Sequence, residues 1–193
     1  GLVTVDGEDY FFDNQGVMQT GVFMIDGDPY YFGDETGWIK DKGQWYYVDS
    51  SSNIVTGWIK DGGSWYYLAS NGMIPIGWIK DGDNWYYLKS SGSMATGWIM
   101  FCGNWYYLNS DGSMATGWVN DGGNWYYLRN SGAMAIGWQY VNGSWYYLNF
   151  DGSMATGWVC SRGVWYYLNS NGSMATDTWI DGYYVNAYGA WVS

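Results

Sequence analysis

Gly-Trp recurs at residues 37–38, 57–58, 77–78, 97–98, 117–118, 137–138 and 157–158, and Trp-Tyr-Tyr starts at 45, 65, 85, 105, 125, 145 and 165. The period is 20 residues without a slip over seven copies, and 14 of the 16 Trp fall on these two positions. Such a period restricts the chain to an array of small units that bury their cores against neighbours, because none can bury one alone. The ends are degenerate. Asp9-Tyr10-Phe11-Phe12 and Pro29-Tyr30-Tyr31-Phe32 align with Trp-Tyr-Tyr-Leu but lack its Trp, and Val22 replaces the Gly-Trp indole. Trp179 and Tyr183-Tyr184 form a shortened last copy, followed by Trp191. About ten units result: a degenerate cap over 1–36, seven regular repeats over 37–176, and a second cap over 177–193.

Each unit reads as a β-hairpin plus a connection. Trp58-Ile59-Lys60 and Ser64-Trp65-Tyr66-Tyr67-Leu68 are aromatic and β-branched runs that suit strands, and Asp61-Gly62-Gly63 between them is a turn signal. Ala69-Ser70-Asn71-Gly72 is a second turn signal, and no helical run exists, so the fold class is all-β. A two-residue turn at Asp61-Gly62 pairs Trp58 with Trp65 and puts Trp58, Trp65 and Tyr67 on one face. Ile59, Tyr66 and Leu68 then share the other face, the natural interior. A three-residue loop with Gly63 in a bulge would shift this register by one. The 98–105 copy fits poorly, because its turn would be Phe101-Cys102.

Composition narrows the partners. Eighteen acidic residues against 7 basic give a net charge of −11, which repels nucleic acid and anionic lipid and attracts cations. No 18-residue apolar run is present to span a membrane. The chain opens on Gly1 rather than Met, which reads as a processed or excised fragment. It has no His, the commonest general base and metal ligand. Asp61, Asp81, Asp111, Asp121 and Asp151 read as turn and solubility residues. Cys102 and Cys160 lie three repeats apart, about 30 Å if layers stack at ~10 Å, too far for a disulfide. Both are expected as free thiols at hairpin tips. No catalytic residue, cofactor or metal site is expected.

Two indoles and a phenol on one face, with little positive charge nearby, suit a cation: each ring contributes roughly 0.5–2 kcal/mol, and quaternary ammonium is the usual guest. The run Gly-Trp-x6-Trp-Tyr-Tyr-Leu-x3-Gly-x-Met-x-x-Gly-Trp, as in Gly77 to Trp98, resembles the choline-binding repeat of streptococcal surface proteins, autolysins and phage lysins. The resemblance is close over about residues 37–176. It implies a left-handed β-solenoid of stacked β-hairpins that holds choline or phosphocholine on teichoic or lipoteichoic acid. The chain would then be a non-catalytic, extracellular anchor at the bacterial cell wall. Family members often pair through terminal repeats, so a homodimer using Trp179 and Trp191 is a further implication.

In that family a site takes both indoles of one repeat, the second Tyr of the next and often a Met from the connection. Carried over, the sets are Trp38, Trp45, Tyr67 and Ile54; Trp58, Trp65, Tyr87 and Ile74; Trp78, Trp85, Tyr107 and Met94; and Trp98, Trp105, Tyr127 and Met114. They continue with Trp118, Trp125, Tyr147 and Met134; Trp138, Trp145, Tyr167 and Met154; and Trp158, Trp165, Tyr184 and Met174. Two rival functions stay open. Tyr30-Tyr31-Phe32 is similar to the repeats of glucan-binding enzymes, and the chain could be the wall-binding part of a cell-wall hydrolase whose catalytic domain lies elsewhere.

Overall fold

The computed structural model describes residues 1–192. Among them are ten small sheets, each an antiparallel hairpin, the first and last extended by a short third strand. There is no helix among the described residues, and no helix is long and apolar enough to cross a membrane. The chain forms two compact units, one over Gly1–Ala95 and one from Thr96 onward. The first holds five hairpins, beginning with Leu2–Val5 on Glu8–Phe12 and ending with Gly77–Asp81 on Asn84–Leu88. The second holds five more, from Gly97–Phe101 on Asn104–Leu108 to Thr178–Ile180 on Tyr183–Val185. The all-β class and the stack of hairpins agree with the sequence.

The register does not. Trp58 faces Tyr67, Ile59 faces Tyr66, Lys60 faces Trp65 and Asp61 faces Ser64. The turn is therefore Gly62-Gly63, with φ of 53° and 79°, not Asp61-Gly62. Both central residues of a type I′ hairpin turn need positive φ, and only this pair supplies it at no steric cost. Moving a two-residue turn by one position shifts cross-strand partners by two, so every side chain keeps its face. Trp58, Trp65 and Tyr67 still share one face for that reason. The same shift resolves the 98–105 repeat, where the turn is Cys102-Gly103 with φ of 47° and 76°. Cys102 is a tip residue, but Cys160 lies within a strand opposite Trp165. Both thiols are free and exposed.

The interior is narrower than the expected face. The Leu ending each Trp-Tyr-Tyr-Leu run is fully enclosed: Leu68, Leu108 and Leu128 are 0% exposed, and Leu88, Leu148 and Leu168 are 1%. Ile59 and Tyr66 are only half-buried. Each such Leu sits opposite the Gly of Gly-Trp, which leaves it room, and each is worth roughly 1.5–3 kcal/mol of burial. In the first unit Val22, Ile39, Tyr46 and Val48 form a cluster against which Tyr31, Ile54 and Met73 pack.

The connections lock hairpins to each other. In the second unit the Asn109 N–H donates to the Ser113 carbonyl, and the Ala115 N–H donates to Tyr107 of its own hairpin. The Asp111 carboxylate accepts from the Ser113 N–H at 2.9 Å and hydroxyl at 2.6 Å. These bonds favour the ionised form and hold its pKa below the usual carboxylate value. One residue further into each connection, the chain reaches back. The Met134 N–H donates to the Trp105 carbonyl, Met154 to Trp125 and Met174 to Trp145, at 2.7–2.8 Å. Met114 in turn packs so closely on Gly132 that a Cβ there would stand 2.2 Å from its sulfur.

Candidate functional site

The 20-residue period converts these contacts into a repeated aromatic constellation. In the second unit the two indoles of one hairpin meet edge to face: Trp98 and Trp105 at 6.4 Å and 88°, Trp118 and Trp125 at 6.5 Å and 85°, Trp138 and Trp145 at 6.3 Å and 88°. The following hairpin adds a phenol. Trp98 meets Tyr126, Trp118 meets Tyr146 and Trp138 meets Tyr166, each at 4.8 Å. The first unit repeats the indole–phenol contact, with Trp38 against Tyr66 at 4.9 Å and Trp58 against Tyr86 at 4.8 Å. The Gly-Trp indole is half-buried in these contacts. The second indole keeps between 40% and 47% of its surface open, from Trp105 to Trp45. A ring face therefore remains accessible beside a fixed perpendicular ring.

The phenol is the first Tyr of the next Trp-Tyr-Tyr, where the sequence assigned the second. Tyr67, Tyr107, Tyr127, Tyr147 and Tyr167 lie instead against the Gly-Trp indole of their own hairpins, at 5.1–5.2 Å. Tyr87 likewise meets Trp78, at 5.3 Å. Each faces that Trp directly across the hairpin, which occupies it locally. Tyr184 pairs with Trp179 at 5.3 Å and donates its hydroxyl to Asp177, while Tyr183 is the ring beside Trp158.

The Met residues touch two hairpins. Met94 bridges Leu88, Met134 Leu128, Met154 Leu148 and Met174 Leu168 in the hairpins assigned to them, while their backbone N–H groups donate to Trp65, Trp105, Trp125 and Trp145 of the hairpins before. Ile54 bridges Val48 and joins the first unit's core cluster, and Ile74 packs under Gly92. Trp78, Trp85 and Met94 lie in the first unit and Tyr107 in the second.

One group of residues that holds these rings was read from the sequence only as turn and solubility residues. The Trp38 indole N–H donates to Asp61 at 3.0 Å, Trp58 to Asp81 at 2.9 Å and Trp98 to Asp121 at 3.1 Å. These Asp residues end the first strand of the next hairpin and orient the ring of the one before. They also bring a negative charge to each indole edge. The signal was present as an Asp 23 residues after each of these Trp. At the same offset Trp118 has Val141 and Trp138 has Ser161, and Asp41 accepts the Val22 N–H where the indole is missing. The residue facing the outer indole also varies. Lys40 stands over Trp45 at 5.6 Å and Lys60 over Trp65 at 5.8 Å, whereas Tyr140 lays a ring 5.2 Å from Trp145. Among the described residues no cluster of three or more His, Cys, Asp or Glu could hold a metal ion.

A family model for the choline-binding repeat matches residues 1–37, 35–74, 76–109, 96–137 and 135–179. The chain belongs to the choline-binding repeat family. Solved structures agree. CbpJ from Streptococcus pneumoniae is 41% identical with a TM-score of 0.80, over 98% of this chain and 79% of that one. Choline binding protein F from the same organism, solved in the presence of a peptidoglycan analogue, is 38% identical with a TM-score of 0.75, over 99% and 77%. The choline-binding domain of CbpL, also from S. pneumoniae, is 42% identical with a TM-score of 0.69, over 82% and 87%. Curated protein sequences give no match. The fold is thus that of a choline-binding solenoid domain, and the chain is a choline-binding repeat module carrying clustered aromatic rings.

Proposed function

We propose that this module holds choline or phosphocholine of teichoic or lipoteichoic acid in cages between successive repeats, and so anchors a surface protein to the bacterial cell wall without catalysis. The observation that carries this reading is the repeated triad of two perpendicular indoles and the first Tyr of the next hairpin, with the outer indole open. The negative edge charge at Asp61, Asp81 and Asp121 favours a cationic guest over a neutral sugar. Three rings supply about 2–6 kcal/mol before ordering costs, so one cage binds on the order of millimolar. Several cages on a polymer that itself repeats choline raise this by about 10²–10⁴. The regular cages are Trp38/Trp45/Tyr66, Trp58/Trp65/Tyr86, Trp98/Trp105/Tyr126, Trp118/Trp125/Tyr146 and Trp138/Trp145/Tyr166. Met94, Met134, Met154 and Met174 donate their backbone N–H groups to the outer Trp carbonyls of the second to fifth of these.

The test is titration with choline and with dextran, followed by Trp fluorescence, together with retention on walls that carry or lack phosphocholine. Choline should change the emission and release the module from choline-bearing walls. A response to dextran and none to choline would overturn the reading.

A further inference from the structure

At the end of the second unit the repeat changes in one respect that alters its chemistry. Tyr126 bridges Ser153, and the next residue, Met154, reaches Trp125; Tyr66 bridges Ser93, and the next residue, Met94, reaches Trp65. In the last repeat Tyr166 bridges Ala190, and the next residue is Trp191. An indole therefore enters where these repeats carry the thioether of Met94 and Met154. Trp191 is held there by pairing with Val185 and stays 39% exposed. Its ring meets Tyr183 at 6.0 Å and 76°. Trp158 and Tyr183 stand 5.9 Å apart, where the regular cages hold the corresponding rings at 4.8–4.9 Å. Trp158, Trp165, Tyr183 and Trp191 together wall a hollow of about 340 Å³.

We infer that this terminal hollow is a four-walled cage for quaternary ammonium groups bulkier than a trimethylammonium head, and that Trp191 sets that preference. Its volume falls at the lower end of the roughly 300–1,000 Å³ of small-molecule sites. The lining is entirely aromatic, mostly apolar and without a charged side chain, so an anion meets no cationic partner there. Four electron-rich faces on a chain of net charge −11 favour an organic cation with apolar substituents. The inference rests on the proposed function, because both use the same ring chemistry.

The experiment labels the full chain with 5-fluorotryptophan and follows each cage by ¹⁹F NMR, with resonances assigned by Trp→Phe variants. Choline, benzyltrimethylammonium and the uncharged choline isostere 3,3-dimethylbutanol are the probes. The Trp158 and Trp165 signals should report benzyltrimethylammonium binding about 3- to 10-fold tighter than choline, a preference larger than at the Trp118 and Trp138 cages. Trp191→Met, which restores the regular residue, should reduce the terminal preference to that of the other cages, while unchanged Trp118 and Trp138 signals report intact folding. The isostere should bind more weakly than choline throughout. An equal preference at all cages, or one that survives Trp191→Met, overturns the inference alone. Choline failing at the regular cages overturns the proposed function itself.

Discussion

Asp121 makes the most specific claim about how a cage works. Its carboxylate accepts the Trp98 indole N–H at 3.1 Å, from one hairpin further along the chain. Asp121→Asn keeps an acceptor of the same size and removes only the charge. With 3.1 Å from carboxylate to indole nitrogen and a cation within ~6 Å of the ring centre, the charges stand about 8 Å apart, worth ~0.5–1 kcal/mol at an effective dielectric of ~40–80. That predicts about a 2- to 5-fold loss of choline affinity at the Trp98/Trp105 cage. The site-resolved ¹⁹F titration reads it directly, with the Trp138/Trp145 cage as internal control because Ser161 stands at the equivalent position. Ser161→Asp should produce the reciprocal gain there. The Debye length falls from ≈ 8 Å at physiological salt to ≈ 3 Å at 1 M, so high salt should erase the difference between wild type and Asp121→Asn. Unchanged affinity at low salt, or a loss that persists in 1 M salt, would refute the electrostatic role and leave Asp121 as a ring-positioning residue.

Three further predictions follow from contacts within and between repeats. Tyr126→Ala should weaken the Trp98/Trp105 cage, while Tyr127→Ala should act on Trp118 in its own hairpin; cage-by-cage choline titration distinguishes them, and the reverse pattern would restore the assignment made from sequence. Gly132→Ala places a Cβ against the Met114 sulfur at a φ of 81°, and should cost about 1–3 kcal/mol in thermal or denaturant melts, with Met114→Ala recovering only the steric share. Lys60→Met removes a resident ammonium 5.8 Å from the Trp65 ring centre and should tighten the Trp58/Trp65 cage by about 2- to 5-fold in the same titration; no change would mean the lysine does not compete for the ring.

The sequence by itself determined the unit. Turn residues at a 20-residue spacing placed the hairpins, and strict two-fold alternation put Trp58, Trp65 and Tyr67 on one face even with the turn set one residue early. The enclosed Leu at the end of each Trp-Tyr-Tyr-Leu run followed from the same alternation. What lies between units was a different matter. A repeated pattern looks the same when displaced by 20 residues, so nothing in it states which copy of a residue meets which. The tertiary structure alone decided that Trp98 meets Tyr126 and Asp121, that the Met134 backbone N–H donates to the Trp105 carbonyl, and that Trp191 takes the place of a methionine. These pairings depend on how each hairpin is set against the next by its connection, and that geometry arises only when the hairpins pack.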